Sequence, residues 1–197
     1  MRSCRVSMIM FNCLLLFLFS GLTGCSHVSD ENDEEQAVIE ATVREMPKHH
    51  VLRDNEDTEI LLCPDAGPLP SQPRVKASFF KKHVPSSITV HSFIERNKIS
   101  HRLTPPLDLG RRFLLLSIAE HHRLIHDDLA SERFYSQHPK ASIGYLAFSR
   151  VGFNRERTEA LLAFDYYCPL CSRCSTVMLK KKFGRWFWME EDVRIVS

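Results

Sequence analysis

The chain has 197 residues, with 26 Lys and Arg against 24 Asp and Glu and a hydrophobic content of 44%. A formal charge of +2 gives no sign of the concentrated basic face that a nucleic-acid partner would call for; the apolar content suffices for a core and argues against disorder over most of the chain. Seven glycines are present, and none lies in a G-x-x-x-x-G-K-[ST], G-x-G-x-x-G or G-x-S-x-G segment, so the sequence offers neither a phosphate cradle nor a nucleophile elbow.

The first element is an address. Arg2 and Arg5 form a positive n-region, Val6 to Leu22 is a run of 17 apolar or small residues, and Leu22-Thr23-Gly24-Cys25 follows. This is the layout of a secretory signal, and the run is shorter than the roughly 20 residues that span the hydrocarbon core. The Leu-Thr-Gly-Cys box resembles the signal peptides of bacterial lipoproteins. The resemblance implies a diacylglycerol on the Cys25 thiol, further acylation such as palmitate, and cleavage that leaves Cys25 as the first mature residue. Ser26 in place of Asp after the cysteine implies, by the same resemblance, the outer membrane and a domain facing the periplasm. Residues 1–24 are thus expected to be a signal peptide, and their removal takes two arginines and no acid, leaving a balanced charge. The partner implied is the membrane, reached through the N-terminal lipid.

Asp30-Glu31-Asn32-Asp33-Glu34-Glu35 would be repelled by anionic headgroups, so residues 25–35 are expected to be a lipidated cysteine and a solvated acidic tether. Residues 36–197 then form a single domain by length. Glu35 to Met46 places Ala37, Val38, Ala41 and Met46 near one helical face, and Pro47 ends the pattern. Glu59 to Cys63 reads as a short buried strand. The next ten residues, Pro64 to Pro73, carry four prolines and one glycine, which predicts a loop. Ser86 and Ser87 offer N-caps for a helix through Asn97. Phe113 begins a mixed stretch, first strand and then a helix over Ser117 to Leu129.

From Ile143 the pattern changes to period two or to continuous apolar runs broken by turn residues, the signature of an antiparallel meander. The candidate strands are Ile143 to Gly152, Glu159 to Tyr167, Thr176 to Lys182 and Trp186 to Val196. The expected fold is therefore α+β, with N-terminal helices packed on a C-terminal antiparallel meander of about four strands. Lys180-Lys181-Lys182 reads as a solvated, edge-protecting run. Trp186, Phe187 and Trp188 alternate between the two faces of their strand.

Ser149-Arg150-Val151-Gly152-Phe153-Asn154, Ala160-Leu161-Leu162, the cysteine-bearing turn, Val177 to Lys181 and Gly184-Arg185-Trp186 together resemble an uncharacterised group of bacterial envelope proteins. The C-terminal part of that group reads S-x-V-G-F-N, then A-L-x-Y, C-G-x-L-C and L-x-K-x-x-G-x-W. The resemblance covers residues 90–197 and implies a fold and a compartment, with no chemistry.

Chemistry centres on Cys168-Pro169-Leu170-Cys171-Ser172-Arg173-Cys174, with Cys63 as a fourth thiol. An even number in an oxidising space points first to disulfides, whose pairing sequence does not fix. A structural zinc site is the second reading, because C-x2-C spacing suits tetrahedral thiolates. Third, Cys168-Pro169-Leu170-Cys171 resembles the active-site motif of thioredoxin-like oxidoreductases, although the motif falls between two predicted strands and lacks the helix N-terminus that lowers a thiol pKa. Cys63, Cys168, Cys171 and Cys174 are thus disulfide or metal candidates. In the run Glu120 to Asp128, His122 and His126 share a helical face and form a weaker metal candidate; the segment is not H-E-x-x-H. No catalytic residue and no cofactor emerge, and the expectation is a binding or interaction module acting on an envelope protein or ligand. Its alternative is a thiol-disulfide oxidoreductase or a metal-binding protein using Cys168, Cys171 and Cys174.

Overall fold

The computed structural model describes residues 26–49, 59–67, 75, 80–103, 106–110, 112–168 and 171–196, with backbone alone at 26–30, 49, 125, 128, 130, 131, 142, 143, 168, 171, 172 and 194–196. The signal peptide and Cys25 lie outside the described residues, as does the proline-rich stretch from Pro68 to Arg74. The chain divides into two compact units, residues 1–34 and Glu35–Ser197. Of the first, residues 26–34 are helical: the acidic stretch expected as a tether is the start of α1 (Ser26–Glu45).

In the second unit, α1 runs to Glu45 and a 3-10 turn follows at Met46–His49. Then come β1 (Glu59–Ala66), α2 (Ser87–Arg96), β2 (His101–Arg102), β3 (Phe113–Leu115), α3 (Ile118–His126), α4 (Asp128–Gln137), β4 (Ala141–Phe148), β5 (Gly152–Phe153), β6 (Glu159–Cys168), β7 (Cys171–Lys182) and β8 (Arg185–Val196). The fold is α+β, with a mixed sheet of eight strands ordered β2-β1-β4-β6-β7-β8; β3 pairs with β1 and β5 with β6. The C-terminal strands β4, β6, β7 and β8 are an antiparallel meander. β1 joins the sheet parallel to β4, Leu62 standing opposite Leu146.

Two expectations need correction. The helices are not one N-terminal block on a four-stranded meander: the sheet has eight strands, β1 to β3 alternate with the helices in sequence, and residues of the α1 region pack on one face while Phe93 of α2 packs on the other. Nor does the proline-rich loop begin at Pro64, since β1 continues to Ala66. Proline is tolerated there because the β1–β4 register slips between Leu62 and Ala66. The Pro64 carbonyl still accepts from the Leu103 amide at 2.9 Å.

The core follows from strand alternation. On β6, Ala160, Leu162 and Phe164 point to one face, where they pack with Val38, Ile39, Val43 and Met46 of the α1 region. Leu161 and Ala163 point to the other, joined by Phe93 of α2, Phe80, Met178 and Cys63. α2 begins at Ser86, whose hydroxyl accepts from the Thr89 amide, and lies so close to β5 that a Cβ on Gly152 would meet the Phe93 backbone at 2.4 Å. The helix expected over Ser117 to Leu129 is two, because Asp127 is extended at φ −139° and ψ 102° and α4 starts after it.

Candidate functional site

The second face of the sheet changes character toward one end. Past its apolar stretch, the same alternation presents Cys63 and Asp65 on β1, Tyr145 on β4, and Asp165 and Tyr167 on β6. Tyr145 and Tyr167 are direct cross-strand partners, and their rings stack with centroids 4.8 Å apart. The Tyr167 hydroxyl donates to Asp165 Oδ2 at 2.9 Å. α3 adds the final member, fixed by local chemistry. Ser117 and Glu120 form a capping box, the serine hydroxyl accepting from the Glu120 amide and the glutamate accepting from the Ser117 amide. That box sets the phase of α3 and turns His121 toward the sheet. His121 Nε2 lies 3.0 Å from Cys63 Sγ, and its ring meets Tyr145 edge-on at 4.9 Å.

Both partners of this contact are driven to their neutral forms. Burial, followed by the Asp65 and Asp165 carboxylates, pushes the Cys63 thiol well above its ordinary range. Burial lowers His121; Asp65 pulls the other way, and His122 and His126 reinforce the drop. Tyr145 is raised by burial, by Cys63 and by Asp165. These directions favour a hydrogen bond between a thiol and an imidazole over a thiolate–imidazolium pair. What the wall can do is exchange hydrogen bonds and present aromatic faces, with carboxylates as its nearest fixed charges.

The predicted residues are distributed unevenly. Cys63 is in the cluster, buried, with a free thiol, so disulfide pairings that use it are not formed. Cys174 is buried opposite Asp165 on β7. β1 and β7 are separated by β4 and β6, three strand spacings or roughly 14 Å, beyond the reach of a disulfide. Cys168 and Cys171 are partners in register, so the segment expected as a turn over Cys168 to Cys174 is a hairpin whose strands run to both cysteines. Cys171 and Cys174 stand three positions apart on one strand, which puts those positions on opposite faces and separates a three-thiol cluster. His122 and His126 share an exposed face of α3 with ring centroids 4.5 Å apart, as their spacing predicts. Among the described residues, no group of three or more His, Cys, Asp and Glu assembles that could hold a metal.

His121, Tyr145, Asp165 and Tyr167 are site residues that sequence reasoning missed. The serine and glutamate three apart at Ser117 and Glu120 were the available signal for His121, since they fix which side of α3 turns inward. The S-x-V-G-F-N pattern is accounted for as scaffold. Ser149 Oγ accepts from the Ala163 amide at 2.8 Å, Val151 is fully buried, and Gly152 admits α2. Phe153 packs on Trp186, and Asn154 Oδ1 accepts from the Thr158 and Glu159 amides. Comparisons with protein-family models, with curated proteins and with solved structures return no match.

Proposed function

We propose that this chain is a lipid-anchored protein of the cell envelope, held through Cys25 at the outer membrane and facing the periplasm, whose α+β domain is a binding module. The N-terminal address supports the compartment. The reading of the domain as a binder rests on one observation, the 3.0 Å contact between Cys63 and His121: a buried thiol beside carboxylates, hydrogen-bonded to a neutral imidazole, suits recognition and not thiol chemistry. The wall it belongs to favours a polar partner that can replace these hydrogen bonds, and its nearby carboxylates favour one bearing positive charge.

The compartment is tested by metabolic labelling of the full chain with an alkynyl palmitate. The expected result is labelled protein in the membrane fraction and loss of both label and membrane retention in Cys25→Ala; an unlabelled wild-type chain would sink the anchor. The binder reading is tested by following alkylation of Cys63 by iodoacetamide, resolved by peptide mass, against pH. The rate should be slow and still climbing at about pH 9. A plateau near neutrality would mean a thiolate and would overturn it.

A second reading, thiol–disulfide chemistry at Cys168 and Cys171, is favoured by their register. Opposite positions in an antiparallel pair have Cα atoms roughly 4.5–5.5 Å apart, within the range a disulfide needs. A count of free thiols in the purified oxidised chain separates a stable disulfide there from an exchanging pair.

A further inference from the structure

The hairpin joining β7 to β8 breaks local rules at three neighbouring positions. Its two-residue loop, Phe183-Gly184, has positive φ at both residues, 51° and 75°, the geometry of a type I′ turn, which selects Asn-Gly or Asp-Gly. A phenylalanine in that conformation is a genuine outlier, and here it has no packing reward, because Phe183 is 101% exposed. Immediately below it Lys182 stands directly opposite Arg185, a like-charge cross-strand pair that opposes strand pairing. Both side chains are exposed. Two positions further, on the same face, Lys180 pairs with Phe187, itself 43% exposed. Lys180 has Glu159 opposite it on β6, whereas the tip beyond it runs past the end of β6. Lys181 serves another purpose, its ammonium lying over the Trp186 ring at 5.7 Å.

A turn residue of the wrong type, fully exposed, above two cations that no acidic side chain meets among the described residues, is costly to folding unless something outside the chain meets it. An aromatic ring projecting ahead of paired cations matches a surface that is negatively charged at its face and apolar just beneath. We infer that the β7–β8 tip is a membrane-contacting element: Phe183 enters the interface of an anionic phospholipid surface while Lys182 and Arg185 hold its phosphate groups. The shape favours a lipid surface over nucleic acid, which would call for an extended basic track. The contact is separate from the ligand wall of Cys63 and His121 and does not depend on acylation of Cys25.

The test mixes the full chain with vesicles, so the contact of the tip is read whether or not Cys25 carries lipid. Phe183→Trp supplies a reporter, and the parent chain supplies the background from Trp186 and Trp188. In vesicles of phosphatidylcholine with phosphatidylglycerol, the added emission should shift to the blue and be quenched by brominated acyl chains. It should do neither in phosphatidylcholine alone, and both effects should weaken at high salt and vanish when Lys182→Gln and Arg185→Gln are added. Phe183→Asn controls for folding: it suits the turn, so its thermal midpoint should hold or rise while membrane contact by the tip is lost. An added emission that stays open to aqueous quenchers and untouched by bromine in both lipids overturns the inference. So does tip protection produced by an acidic oligonucleotide but not by anionic vesicles.

Discussion

Two clusters of ionisable side chains in this domain are built in opposite ways. In one, Glu35 of α1 is 3% exposed and both of its carboxylate oxygens are hydrogen-bonded: its Oε2 receives Arg96 at 2.6 Å and Arg150 at 3.0 Å, and its Oε1 receives the Val151 amide at 2.9 Å. Burial, with Arg150 and Arg157 nearby, lowers Arg96 to about 10, still charged at neutral pH. Three segments distant in sequence are tied at one carboxylate. In the other, a buried Cys63 is held neutral beside His121 and Tyr145, which are also held neutral and are only half-buried, so the wall can be reached through the histidine and the tyrosine. Satisfied charge marks the scaffold; neutral polar groups on an aromatic wall mark the site.

The most severe way to break the contrast is Glu35→Ala. It strands two partly buried guanidiniums and an amide, and removing one partner of a buried ion pair costs about 3–5 kcal/mol. For a domain of this size that is a thermal midpoint lower by roughly 10 °C. A loss under about 1 kcal/mol in urea unfolding would group Glu35 with exposed surface pairs and dissolve the distinction. Gly152→Ala acts on the same scaffold by sterics alone. With Phe93 backbone 2.4 Å from the new Cβ, α2 must move off β5, at a cost of about 1–3 kcal/mol. The alkylation rate of Cys63 should stay slow in this variant at temperatures where it remains folded. A large acceleration there would show that scaffold and site are one unit.

The two regions also differed in how far the sequence disclosed them. The meander was legible because its strands alternate cleanly and the turns between them are short, and α2 was legible because Ser86 caps a periodic run. The extra half of the sheet was not: β1 carries Pro64, a residue that reads as punctuation, and its partner β4 lies some eighty residues on, paired in parallel through a crossover no local pattern announces. Glu35 looked like the last residue of an acidic tether, since its two arginine partners are sixty and more residues away. The site was hidden for a related reason. Among its residues only Cys63 stood out by type, and spacing drew attention to His122 and His126, the outward-facing neighbours of the histidine that is used. Composition marks residues capable of chemistry, while helix phase and strand register decide which of them meet.

Acidification sharpens the comparison from the other side. His121 has a folded-state pKa below its ordinary value of about 6.5, with burial as the main cause. As pH falls through that ordinary value, the unfolded chain takes up the proton first, so this histidine contributes a stability that is present above about pH 6.5 and declines below it. His121→Asn should therefore flatten the fall of the thermal midpoint on acidification between about pH 7 and 5, without changing it much at pH 8. A fall as steep as the parent's would mean that His121 is not the group being charged, and that its contact with Cys63 is not a neutral one.

The smallest effect is the most pointed, because it holds geometry fixed and changes only burial. Lys98 meets Glu95 at 2.6 Å, the same distance at which Arg96 meets Glu35, and Glu95, Arg96 and Lys98 all stand at the C-terminal end of α2. Glu95 is lowered from its ordinary value chiefly by its hydrogen bond with Lys98, yet the Lys98 and Glu95 side chains are 62% and 47% exposed. Water and salt screen such a pair, and holding two long side chains in one geometry offsets what attraction remains. Lys98→Ala should leave the thermal midpoint unchanged within error at physiological salt. If it instead costs as much as Glu35→Ala, contact length rather than burial sets the strength of ion pairs in this domain, and the line drawn between scaffold and surface would have to be redrawn.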